Sequence, residues 1–182
     1  MLKLRPSVLT LLIIFAATAP ILAKDKPEDW KFAMPLGKDN QEEWKLASSD
    51  ANRGGESIME FVRKEDDISH WKELVTMQNL RKSHSIKSPD AMLEKLKALR
   101  EKLCPGKTEW KVIDRKEDSI LFEWHLKQCA DQPDQSELAR IIFGKQNVLF
   151  LHYTVKALEF PPAARAEWIK RFNQAEIIPA EK

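Results

Sequence analysis

The sequence predicts an α+β domain: an antiparallel sheet with helices packed on one face, in the order β-β-α-α-β-β-β-β-α. Three observations carry this expectation. The segment that opens at Ser88-Pro89-Asp90 repeats leucine at three- and four-residue steps. From Trp110 onward the apolar period changes to two and holds over four successive runs. A final segment after Pro161-Pro162 returns to helical spacing. A sheet with one apolar face needs a second layer over it, and the helices supply that layer.

The chain of 182 residues opens with two cations, Lys3 and Arg5, ahead of an apolar run from Val8 to Ala17 broken only by Thr10. Charge resumes at Lys24, after Pro20-Ile21-Leu22-Ala23. Basic start, short apolar middle and small residue at the cut are the layout of a secretory signal, with cleavage expected after Ala23. Ala17-Thr18-Ala19 also fits the small-x-small pattern but would leave Pro20 beside the cut bond. The apolar stretch falls short of the ~20 residues that cross a bilayer, so no stable membrane insertion is expected after cleavage. The mature chain is expected in the periplasm or outside the cell. Removing 23 of the 182 residues leaves 159, enough for one domain with a real core. The formal net charge of +2 equals Lys3 plus Arg5, so the mature chain is near neutral. A near-neutral chain lacks the basic excess that nucleic-acid binding requires, and no nucleic-acid partner is expected. Arg81, Lys82, His84 and Lys87 read as a solvated basic loop.

Residues 24–40 are predicted to form a flexible leader, because Pro27 and Pro35 interrupt pairing. The single domain is expected over 41–178 and a frayed tail over 179–182. Within the domain, Glu43–Ser48 and Ser57–Val62 read as a hairpin around the turn formers Ser49 to Gly55. Ile68, Trp71, Leu74, Val75 and Gln78 make a helical stripe, predicting a helix over Ser69–Leu80 with Asp66, Asp67 and Ser69 at its positive end. Ser88 caps a second helix, with Pro89 at its first position. Its buried stripe is Met92, Leu93, Leu96, Leu99 and Leu103, and Cys104-Pro105-Gly106 stops it. The meander follows: a strand beginning at Trp110 and Val112, then Ile120–Lys127, Leu138–Phe143 and Val148–Val155, with turns at Arg115–Asp118 and Gly144–Asn147. The last helix would turn Ala164, Trp168, Ile169 and Phe172 to the sheet.

Cys104 and Cys129 are the only cysteines, and an even pair in an exported chain predicts a disulfide. Closing a loop of about 25 residues contributes roughly 3–4 kcal/mol by chain entropy. The spacing is not that of a redox Cys-x-x-Cys motif or a four-ligand zinc site.

Two local patterns resemble a loose group of small exported bacterial proteins of unassigned activity. One is Gly55-Glu56-Ser57 followed by Trp71 and Val75-Thr76-Met77-Gln78. The other is Tyr153-Thr154-Val155-Lys156 followed by Pro161 and Trp168. The element order is similar to the PsbP-like α+β layout. The resemblance implies a fold and an envelope location, and it brings no catalytic residue with it.

No catalytic residue, cofactor or metal is assigned. His125 and His152 sit on strands, and Glu123 with His125 is the only same-face carboxylate–imidazole pair adjacent in sequence. Cross-strand polar pairing accounts for these better than ligation. None of the serines, Ser48, Ser49, Ser57, Ser69, Ser83, Ser85 and Ser88 among them, lies in a Gly-x-Ser-x-Gly elbow. Gly54-Gly55 leads into a strand and so makes a turn, not a phosphate cradle. Of six tryptophans, Trp71, Trp124 and Trp168 lie on apolar stripes, whereas Trp30 and Trp44 do not, which makes these two the candidate binding surface. The expected role is a non-enzymatic envelope domain that binds a protein partner or ligand. The alternative is a small envelope hydrolase with a dispersed site.

Overall fold

The computed structural model describes residues 29–32, 44–129 and 132–178. The signal segment 1–23, most of the expected leader and the tail 179–182 lie outside the described residues.

Seven strands form one antiparallel sheet: β2 (Trp44–Ala51), β3 (Ser57–Arg63), β4 (Glu73–Arg81), β5 (Thr108–Arg115), β6 (Ser119–Leu126), β7 (Gln135–Phe143) and β8 (Asn147–Val155). Their spatial order is β2-β3-β4-β8-β7-β6-β5. The chain leaves the centre after β4, passes through helix α1 (Pro89–Leu103) to the far edge, and returns by the four-strand meander until β8 pairs with β4. Helix α2 (Pro162–Asn173) follows. Two three-residue strands, β1 (Asp29–Lys31) and β9 (Glu176–Ile178), pair separately. Part of the segment expected as a flexible leader is therefore a strand.

The expected order and layering are corrected in two ways. First, the segment predicted as a helix over Ser69–Leu80 is the interior strand β4. Leu74, Val75, Thr76, Met77 and Gln78 are all buried. A strand covered on both sides reads as a continuous buried run, and such a run contains three- and four-residue steps by accident. The acids before it do bond to backbone, but they close a turn. Asp67 Oδ1 accepts from the Ser69 and His70 N–H groups, and Asp66 Oδ2 accepts from the Lys72 N–H. Among the described residues the protein is thus mainly antiparallel β with two short helices.

Second, the helices lie on opposite faces. Met92, Leu93 and Leu96 of α1 pack with Ile120, Phe122, Trp124, Leu126, Ala139, Ile141 and Phe150. Trp168 and Phe172 of α2 pack with Leu121, Leu138, Leu149, Leu151 and Tyr153 and with Phe61 of β3 and Val75 of β4, joined by Trp30 and Ile177 of the small β1–β9 ribbon and by Phe32 just after β1. Alternate residues of each central strand therefore serve two different cores, which is why β7 and β8 are buried almost end to end.

Local chemistry fixes the ends. Ser88 Oγ accepts from the Ala91 N–H at 3.2 Å, and Pro89 opens α1. The stripe of α1 that meets the sheet is Met92, Leu93, Leu96 and Arg100, whereas Leu103, expected inside, is 42 % exposed. The β2–β3 turn is closed by Asn52, whose Oδ1 accepts from the Gly54 and Glu56 N–H groups, with Gly55 at φ +82°. Both edge strands carry a register shift, between Leu46 and Ser48 and between Val112 and Asp114. Such irregularities and the edge lysines Lys45 and Lys111 blunt the sheet against further pairing.

Candidate polar site beneath helix α1

A polar strip crosses the centre of the α1 face. Register pairs Thr76 of β4 with His152 of β8, His152 with Ala139 of β7, Thr154 with Glu137, and Glu137 with Trp124 of β6. Thr76, His152, Thr154 and Glu137 are buried, and Glu137 sits in a run that is otherwise mostly apolar.

An ionised carboxylate in such a place must be fully engaged. Glu137 Oε1 accepts from the Trp124 indole N–H at 3.0 Å and from His152 Nδ1 at 2.9 Å, and its Oε2 accepts from the Thr154 hydroxyl at 3.1 Å. The carboxylate only accepts, so His152 carries a proton on Nδ1. Arg100 reaches the strip from α1: its guanidinium carbon lies 4.2 Å from the Trp124 ring centroid, and its Nη1 donates to Gln132 Oε1 at 3.2 Å. Burial pushes the Glu137 carboxyl up, but His152, Arg100 and the Trp124 N–H outweigh it and hold the carboxyl below the ordinary glutamate value. Arg100 is drawn down by its own burial, against the opposing charge of Glu137.

Two buried nitrogens on this side have no protein partner among the described residues, His152 Nε2 and Trp71 Nε1. Within the strip, His152 Nε2 is the buried side-chain atom without a partner among the described residues. Its ring is oriented by Glu137 and lies against Phe150, with 3.7 Å between centroids.

The opposite face consumes its charges in internal contacts. Glu123 is gripped by Arg165 Nε at 2.7 Å and approached by Lys111 Nζ at 3.5 Å. Glu73 Oε2 accepts from the Tyr153 hydroxyl at 2.7 Å and from Arg63 at 2.8 Å. Arg140 donates to the Phe172 carbonyl at the end of α2, satisfying a terminal acceptor with a cation where the helix dipole favours one.

The structure separates the sequence candidates. His125 and His152 lie on opposite faces: His125 Nδ1 meets Ser136 Oγ at 2.7 Å, and that hydroxyl donates onward to the Ala157 carbonyl. No cluster of three or more metal-ligating side chains occurs among the described residues. Trp44 is 2 % exposed and stands edge-on to Trp168 at 5.5 Å, with Arg63 over its ring, so it is a core residue and presents no free face. Trp30 is half-buried on β1 and packs against the same core. Cys104 and Cys129 form the expected disulfide, with Cα atoms 5.6 Å apart, joining the end of α1 to the loop after β6. Sequence reasoning missed Glu137 and Arg100. The available signal was a lone acid inside an apolar strand, and an arginine four residues after Leu96 on the helix's apolar stripe.

No protein-family model matches the chain, and no curated protein matches it significantly.

Proposed function

We propose that the chain is an exported domain of an oxidising compartment, periplasmic or extracellular, that binds a protein partner or ligand and carries out no chemistry of its own. The Cys104–Cys129 disulfide is the observation that carries this reading, because such bonds persist where thiols are not kept reduced. The signal-like first 23 residues and the resemblance to small exported bacterial proteins support the same placement. The non-enzymatic part is supported by how Glu123, Glu73 and Arg140 are spent on internal partners. In-cell crosslinking of the tagged chain, followed by rebinding of any captured protein to the purified domain, tests it. One envelope protein that rebinds with a defined stoichiometry is the expected result. A chain that stays monomeric, with nothing that rebinds, overturns the partner reading.

A small hydrolase is the second reading, favoured by one observation: an imidazole oriented by a carboxylate with its far nitrogen unpartnered is the base half of a nucleophilic site. Hydrolysis of ester or amide probes that His152→Gln abolishes, with the fold intact, would establish it.

A further inference from the structure

We propose that the Cys104–Cys129 disulfide is a redox-sensitive clamp: it holds Arg100 over the Trp124–Glu137–His152 cluster, and its reduction frees the last turn of α1 while the sheet stays folded. The inference rests on the disulfide and the contacts of α1, and is independent of whether the domain binds a partner.

Helix α1 is anchored unequally along its length. Its first three turns are held by the Ser88 cap, by the Asp90–Arg115 ion pair at 2.7 Å, and by Met92, Leu93 and Leu96 in the apolar cluster. Its last turn has a different set of holds. Leu103 is exposed, and the ties are Arg100, the Glu101 carboxylate, which accepts from the Gly106 N–H, and Cys104, whose side chain is buried in the apolar cluster and whose N–H donates to the Arg100 carbonyl at 2.8 Å. Arg100 is tied in turn to Gln132, which lies three residues beyond Cys129 and donates its N–H to the Cys129 carbonyl. The disulfide therefore fixes both ends of the arrangement that keeps Arg100 in place: the helix end that carries it and the loop that bonds to it. Without the bond, this terminus keeps only Arg100, the Cys104 side chain and the local Glu101–Gly106 contact, and it frays, because local opening follows local contact density.

The two sulfurs differ in access. Cys104 is 2 % exposed, whereas Cys129 is half-buried. A dithiol reductant can reach the second. Its thiolate attacks Cys129 Sγ, forming a mixed disulfide and expelling Cys104 as a thiolate that takes up a proton. The reductant's other thiol then attacks its own sulfur in the mixed disulfide, releasing Cys129 as a thiol and leaving the reductant as a cyclic disulfide. Two electrons pass from the dithiol to the protein. The consequence is electrostatic as well as mechanical. Once Arg100 departs, Glu137 loses the attraction of that guanidinium, and the indole of Trp124 loses its cation.

The test compares the full mature chain, oxidised and after treatment with dithiothreitol at neutral pH without denaturant, by hydrogen exchange. Amides from Arg100 to Cys104 should exchange about tenfold faster or more, with β4 and β8 still protected. The side-chain nitrogen resonances of His152 should move on reduction, and should move much less in Arg100→Gln, where there is no guanidinium to lose. Arg100→Lys keeps a cation to lose, so its His152 response should stay close to that of the wild type. Loss of protection across the whole sheet on reduction would overturn the clamp and make the disulfide a global staple. Unchanged exchange at the helix end would overturn it too, as would a His152 response as large in Arg100→Gln as in the wild type.

Discussion

Glu137 and His152, on neighbouring strands, meet through Oε1 and Nδ1 at 2.9 Å, and the same oxygen takes the Trp124 indole N–H. The pair is closed from water and fixes the tautomer of the imidazole. A charge change there is costly, because low local polarity strengthens every contact in it.

Acid sensitivity follows from that pair. The folded-state value of Glu137 lies below its ordinary 4.5, and so does that of Glu123. A carboxyl depressed on folding contributes stability that is complete above the unfolded value and lost as pH falls through the folded one. Stability should therefore hold at neutral pH and decline below about pH 4.5. Glu137→Gln should flatten that acid limb and cost about 3–5 kcal/mol at pH 7 in urea melts, since it leaves the buried Arg100 without its counter-charge and disturbs the hydrogen bonds to His152, Trp124 and Thr154.

Trp44 tests core against surface. Its ring packs on Trp168, and Arg63 covers it. Trp44→Ala should cost about 3–5 kcal/mol of folding stability. A substitution that changes binding but leaves the urea midpoint untouched would place this ring on the surface after all.

Ser88→Ala should cost about 1 kcal/mol, by removing the acceptor for the Ala91 N–H, with the loss of exchange protection confined to the first turn of α1.

The segment Glu73–Arg81 should be among the slowest-exchanging parts of the chain. It pairs with β3 on one side and β8 on the other. A solvent-side set of fast amides at helical spacing would contradict an interior strand.

How far the sequence revealed this depends on the element. Ser88-Pro89-Asp90 marked the start of α1 because a cap and an N-terminal proline act locally, within one turn. The meander from β5 to β8 was legible because turn formers separate its period-two runs. β4 was not, because burial on both faces erases the alternation that identifies a strand, and Trp71 just before it extended a false stripe. The layering was hidden for the same reason: Leu121 and Phe122 are both apolar, yet they serve different cores. β1 and β9 have three residues each, too few for any period. At the candidate site, His152 stood out by residue type alone. Its partner Glu137 required the β7–β8 register, which arises from pairing along the whole sheet.

The most direct test of the central claim, an exported domain stapled by its two cysteines, is intact mass of the chain recovered from the cell envelope or medium. The protein is denatured and alkylated without prior reduction. The account predicts a chain that begins at Lys24 and carries no alkylated cysteine. A chain found in the cytoplasm, still beginning at Met1 and alkylated at both Cys104 and Cys129, would contradict it.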